Sequence, residues 1–154
     1  MSSSDNDTVA GIISVNHWDK RYLDMAQHIS LWSKDPSTKV GAVIVDKDFR
    51  PVSFGVNGLP QKIKEEAILL DDRETKYKTI IHAEVNAILF AKTDLSNCTI
   101  YTWPFQPCSR CASVIIQSGI TRIVTCKSDN ERWKDDFDLS LNLLNQANIV
   151  VDFL

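Results

Sequence analysis

The sequence predicts an α/β protein: a three-layer α/β/α sandwich on a five-stranded mixed sheet. Three observations predict it. Short β-branched apolar runs alternate with stretches of helical spacing along most of the 154 residues. The first two such runs adjoin across a polar turn, as in a hairpin. From the third run onward, each pair of runs is separated by a helix of crossover length, which calls for right-handed βαβ units and parallel pairing. A chain of this length forms about one domain and buries roughly two-thirds of its unfolded surface around one core.

The elements follow in order. Trp18, Tyr22, Met25, Ala26, Ile29 and Trp32 recur at helical spacing, so an amphipathic helix spans about residues 17–34. Asp35-Pro36 ends it, because a residue before proline disfavours helical backbone. "KVGAVIVD" and "PVSFGVNG" are the hairpin strands. Residues 61–78, "QKIKEEAILLDDRETKYK", are charged and read as a partly helical surface excursion. "HAEVNAILFAK" is apolar nearly all round and reads as a buried helix. "CTIYTW" is a strand. "PCSRCASVIIQSG" is a helix with proline at its start and Gly119 past its end. "TRIVTC" is a strand, Trp133, Phe137, Leu141 and Leu144 mark an amphipathic helix, and "NIVVDFL" is the last strand. The hairpin supplies an antiparallel edge to an otherwise parallel sheet.

Composition excludes several classes. The chain is 44% apolar and 24% charged, ordinary for a globular domain. No apolar run approaches the ~20 residues of a membrane span. The N-terminus, "MSSSDNDTVAGII", is polar and acidic, without the basic and apolar regions of a secretory signal. Residues 1–13 are expected to be a disordered tail, residues 14–154 the single domain, and the protein cytoplasmic. A net charge of −3 and a pI near 5.5 argue against binding to nucleic-acid backbone and favour a small-molecule substrate.

The chemistry lies in two short motifs. In "TIIHAEVNAI", His82 and Glu84 interrupt an apolar helix start. In "PCSRC", Cys108 and Cys111 stand three residues apart where the next helix begins, so both sulfurs face one side. One helix and one strand separate the motifs. That half-circuit sets the starts of two successive helices side by side at the carboxyl ends of the strands. His82, Cys108 and Cys111 supply three zinc ligands, and the absence of a nearby fourth leaves the open position of a catalytic site. Glu84, two residues from a ligand, is placed to shuttle a proton without binding metal. H-x-E followed by P-C-x-x-C is the signature of zinc-dependent nucleobase deaminases. Either half alone is weak: a redox dithiol would also read CxxC. Cys98 and Cys126 read as inert buried cysteines, and His17 and His28 as structural residues of the first helix.

With "DPSTKVGAVIVD", "GVNGLP", "HAEVNAILFA", "PCSRCASVIIQSGI" and "RWKDDFDLSLNLL", the chain resembles the deoxycytidylate deaminases, over about residues 16–150. The resemblance implies the cytidine deaminase-like fold and hydrolysis of dCMP to dUMP and ammonia by a zinc-activated water, feeding thymidylate synthesis. It makes Glu84 the proton carrier to ring N3 and the leaving amine. It gives Asn57 to the sugar hydroxyl, the Ala83 backbone to the base, and Trp103 and Phe105 to the pocket lining. Ser37, Thr38 and Lys39 would meet the 5′-phosphate. Core packing is the competing role for the two aromatics, ordinary solvation for Lys39, and a backbone hydrogen bond for Asn86. Residues 59–81 hold no Cys or His, so the second, structural zinc of some relatives is not expected, leaving one zinc per chain. Where many relatives read "GYNGFP", this chain reads "GVNGLP". The resemblance also implies a homo-oligomer, a dimer or hexamer, and regulation by dCTP and dTTP, for which no residue here marks a site.

Three rivals share parts of this pattern. A tRNA adenosine deaminase carries both motifs, but the acidic balance and lack of a basic C-terminal helix oppose RNA binding. A non-catalytic, zinc-stabilised nucleotide sensor would have no need of Glu84. Deamination of dCTP or cytidine uses the same zinc chemistry, and only the resemblance separates it from dCMP.

Overall fold

Two glycines fix how the helices lie on the sheet. The computed structural model describes residues 8–9, 12–13, 17–64 and 72–154. Helix α1 (His17–Ser30) crosses β3 (Gly41–Val45) at Gly41, where a Cβ would stand 2.1 Å from the Ala26 carbonyl oxygen. Helix α3 (Ala83–Ala91) crosses β4 (Pro51–Val56) at Gly55, where a Cβ would stand 2.5 Å from the Ala87 nitrogen. Only a residue without a side chain permits either approach.

The main sheet runs β4-β3-β5-β6-β7, with β5 at Thr99–Trp103, β6 at Arg122–Thr125 and β7 at Val150–Phe153. β3 pairs antiparallel with β4 and β5, while β5–β6 and β6–β7 are parallel. This is the mixed five-stranded sheet expected, with the hairpin at one edge. Side chains alternate across it as the pleat requires. Val43, Val45, Tyr101 and Val124 meet Leu23, Ala26 and Ile29 of α1 on one face. Ala42, Ile44, Ile100 and Ile123 meet Ala83, Ala87, Ala112, Ile115 and Leu144 on the other. The second face carries α3, α4 (Ser109–Ser118) and α5 (Lys134–Gln146). Gly119, at φ +92°, adopts the left-handed backbone that terminates α4.

Several boundaries differ from expectation. α1 ends at Ser30, not near 34, because Leu31, Trp32 and Ser33 turn tightly onto the carbonyls of His28, Ile29 and Ser30. Only part of the 61–78 excursion is described as helix, α2 (Arg73–Thr79), capped by Asp72; residues 65–71 lie outside the described residues. Trp133 belongs to a 3₁₀ turn, Glu131–Trp133, ahead of α5. Within the expected tail, β1 (Thr8–Val9) pairs antiparallel with β2 (Ile12–Ile13), and its other residues lie outside the described ones. α3 is not buried all round: Leu89 and Phe90 are 54% and 49% exposed. No helix among the described residues is long and apolar enough to cross a membrane.

Below the sheet, on the α1 side, lies a buried polar network. Arg122 donates to both Asp19 oxygens at 2.8 Å and to Asp152 at 3.0 Å, and Tyr101 donates to Asp19 at 2.6 Å. It ties α1 to β5, β6 and β7.

Candidate active site

The chain enters α3 under tight control. Gly58 and Ile81 exchange both backbone hydrogen bonds, at 3.0 and 2.8 Å, which fixes the residue before His82 against the end of the hairpin. Asn86 donates to the Val56 carbonyl at 2.8 Å, and Ser53 donates to the Ala87 carbonyl at 2.7 Å. Asn86 thus satisfies a backbone group, the plainer of its two readings. The start of α4 is held from α5: Ser140 donates to the Pro107 carbonyl at 2.8 Å, and Asp136 accepts from Ser109.

These two helix starts bring His82, Cys108 and Cys111 together, their ligand atoms all within 4.8 Å of one another. His82 Nδ1 lies 3.2 Å from Cys111 Sγ and 3.5 Å from Cys108 Sγ. Ligands of a tetrahedral zinc, at about 2.3 Å for sulfur and 2.0–2.1 Å for nitrogen, stand roughly 3.5–3.8 Å apart. One imidazole and two thiols in this spacing suit zinc, with small adjustment. Cys111 is buried, Cys108 half-buried and His82 exposed, so the group faces outward on one side. The thiols share one proton: Cys108, bonded by Cys111 and by His82, falls to about 4, while Cys111 is pushed up. The hydrogen bond that His82 gives the Cys108 thiolate raises the imidazole.

Glu84 is 4% exposed, and burial lifts its carboxyl to about 7. It lines a cavity of about 270 Å³ together with His82, Cys108, Ala83, Asn57 and Phe105. Ser37 and Thr38 stand at the mouth of the same cavity. Nearly every polar group of Asn57 is engaged within the wall. Its Oδ1 accepts from the Val40 amide at 2.9 Å, and its Nδ2 donates to the Thr38 carbonyl at 2.8 Å.

Two expected pocket residues lie elsewhere. Trp103 shares the face of Tyr101, two residues before it on β5, and packs with the core beneath α1. Lys39 is outside the cavity lining, and its ammonium donates to the Ser33 carbonyl. Cys98 is buried and Cys126 half-buried, neither in a disulfide.

The structure adds residues that sequence reasoning passed over. Asp35, read only as a helix stop, turns its carboxylate into the cavity wall. It accepts from Lys76 Nζ at 2.7 Å and from the amides of Ser37 and Thr38 at 2.8 and 3.4 Å. Burial alone would raise Asp35, but the Lys76 hydrogen bond, those amides and the Lys76 charge together hold it below its usual value. Arg73, Lys76 and Tyr77 share one face of α2 and line the cavity, with Arg132 and Trp133 from the 3₁₀ turn. Their spacing within "RETKYK" was the one signal that they share a face.

Comparison with known proteins identifies the family. The model of the cytidine and deoxycytidylate deaminase zinc-binding region matches residues 16–127. A protein of Aliivibrio fischeri, described as an uncharacterized deaminase in the luxG 3′ region, is 44% identical over 91% of this chain and 95% of its own length. Human deoxycytidylate deaminase is 33% identical over 86% of this chain and 76% of its own. The dCMP deaminase of cyanophage S-TIM5, solved with dCMP and dUMP, superposes with a TM-score of 0.70 at 22% identity, covering 90% of this chain and 97% of that one. At that identity it shows a shared fold. With zinc-type donors converging beside a buried glutamate, and a family model matching most of its length, the chain belongs to the cytidine and deoxycytidylate deaminase family.

Proposed function

We propose that this protein is a zinc-dependent deoxycytidylate deaminase, converting dCMP and water to dUMP and ammonia and so supplying the uridylate from which thymidylate is made. One observation carries the reading: the His82, Cys108 and Cys111 donors and the buried Glu84 carboxyl border one cavity in a chain of this family. Zinc held by the three donors, one ion per chain, supplies a Lewis acid that makes water acidic enough to be deprotonated near neutral pH.

The chain's own residues do the rest. Glu84 takes the proton of the attacking water and delivers it to N3 of the base as the C4–O bond forms. It then carries the second proton to the amine as the C4–N bond breaks. A carboxyl held near neutrality by burial can both accept and return a proton at the working pH. The Ala83 backbone, at the buried start of α3, positions the base. Phe105, tilted against Phe137 at a centroid distance of 5.7 Å, gives it an apolar wall. Asn57, on the cavity lining, offers the sugar hydroxyl the remaining lone pair of its Oδ1.

Incubating zinc-loaded protein with dCMP, dCTP, cytidine and tRNA while measuring ammonia tests this reading. Turnover on dCMP is expected; turnover on tRNA alone overturns it. Glu84→Ala should retain fold and zinc while losing deamination. The exposed Leu89 and Phe90 of α3, continuous with Trp32 and Phe54 beside edge strand β4, suit a homo-oligomer, dimer or hexamer. Light scattering showing a monomer at micromolar concentration would count against it.

A further inference from the structure

Three cations line the active-site cavity: Arg73, Lys76 and Arg132. They are not equivalent. Lys76 is buried and paired with Asp35 at 2.7 Å. Among the described residues, neither arginine pairs with a carboxylate. Arg73 instead meets a neutral oxygen. Arg73 donates to the Tyr77 hydroxyl from Nε at 3.0 Å and from Nη2 at 2.8 Å. Arg132, from the 3₁₀ turn, lines the same cavity and stacks on Trp133 at 4.9 Å. Two guanidinium groups lining one cavity would both be served by a single anionic acceptor. In a chain of net charge −3, two cavity-lining arginines with no carboxylate partner among the described residues stand out.

We propose that Arg73 and Arg132 form a phosphate clamp: they take the 5′-phosphoryl group of the substrate between α2 and the 3₁₀ turn, and so select nucleotides over nucleosides. This rests on the deaminase reading above. The planar, fixed fork of arginine matches phosphate oxygens in pairs. The Tyr77 oxygen marks the place one such oxygen takes. The backbone amides of Ser37 and Thr38 and the Lys39 ammonium, the alternative anchors, are already engaged. The Ser37 and Thr38 amides serve Asp35, and the Lys39 ammonium serves the Ser33 carbonyl. Because the clamp lies on different elements from His82 and Glu84, it governs which molecule is held and leaves the bond-making groups alone.

The test compares product with its dephosphorylated form. Calorimetry on zinc-loaded protein should show dUMP binding at least about 100-fold more tightly than deoxyuridine, as expected when two charge-assisted contacts are gained. In Arg73→Gln/Arg132→Gln that ratio should collapse toward unity, and kcat/KM should fall about 100-fold for dCMP and far less for deoxycytidine. A double variant that keeps the wild-type ratio overturns the clamp. If it does not fold, Arg73→Lys/Arg132→Lys, which keeps charge but loses the forks, should cut the ratio about tenfold; no loss there is equally fatal. Tyr77→Phe should keep dUMP binding within a few-fold, whereas matching the arginine loss would mean that the arginines only brace Tyr77. Lys78→Gln removes an exposed charge on the same helix and should leave the ratio intact; a comparable fall would assign the effect to net charge. If wild-type protein neither binds dUMP nor deaminates dCMP, the deaminase reading itself fails.

Discussion

Asp136 accepts two hydrogen bonds from Ser109, one from its amide at 3.0 Å and one from its hydroxyl at 2.6 Å. It therefore caps α4 from another helix, at a start where Cys108 occupies the N-cap position without a side-chain bond of its own. Asp136→Ala should cost about 1 kcal/mol, the usual worth of a cap. It should also weaken zinc binding about tenfold, as lost support for a ligand segment does. Thermal unfolding and competition with a chelator would measure the two effects. Unchanged zinc affinity would confine Asp136 to stability.

Gly55 offers a sharper test of how the sheet sets the site. A methyl there would stand 2.5 Å from the Ala87 nitrogen and 2.7 Å from the Ala83 carbonyl oxygen, both backbone atoms of the helix that carries Glu84. Gly55→Ala should cost about 1–3 kcal/mol by overpacking and lower kcat as α3 is displaced. Gly58→Ala is the control, since nothing lies within 4 Å of its added carbon. Denaturant unfolding should find it neutral or slightly stabilised.

Removing Arg122 takes two 2.8 Å guanidinium contacts from the buried Asp19 carboxylate. Breaking a buried ion pair from one side costs about 3–5 kcal/mol. Arg122→Met should therefore lower the urea midpoint strongly, and Arg122→Met/Asp19→Leu should recover much of the loss. A single variant with near-native stability would mean that the pair is not a determinant of the fold.

Asp35 gives the fold an acid-side dependence. Its folded pKa lies below its ordinary value, so its contribution to stability is fully present above the unfolded carboxylate range, near pH 4. That contribution is lost as pH falls through the depressed folded value. The stability gap between wild type and Asp35→Asn should be widest above pH 5 and narrow below pH 4. Parallel melting curves over that window would refute the assignment.

Zinc removal should expose a reactive thiol. Cys108 falls to about 4 in the metal-free site, while burial raises Cys98 and Cys126, and the hydrogen bond to Cys108, with burial, raises Cys111. Only the thiolate alkylates readily. At pH 6, iodoacetamide should modify Cys108 first in chelated protein, and zinc should protect it, as read by mass spectrometry of peptides. Equal labelling of all four cysteines would contradict the geometry.

Strand alternation, helix spacing and the two motifs made the sheet, its pairing and the His82–Glu84–Cys108–Cys111 group legible before any coordinates. Such features depend on near neighbours in sequence. What escaped depends on partners far apart. Asp35 and Lys76 each look like solvated surface charges, and only the fold brings them within 2.7 Å. Trp103 carried two readings, pocket or core, and the pleat that sends it toward α1 favours the core. Phe90 and Leu89 looked interior because α3 is apolar all round, though the chain supplies nothing among its described residues to cover them fully.

The paired backbone bonds between Gly58 and Ile81 join the two ends of the excursion at adjacent points. Between them the segment is fastened again, to the cavity wall, by Lys76 on Asp35. Segments of different length or composition can still be exchanged there over evolutionary time without shifting His82. Selectivity at the cavity mouth can diverge while the reacting groups stay in place, which makes this stretch the natural one to graft when redirecting the enzyme to a new nucleotide.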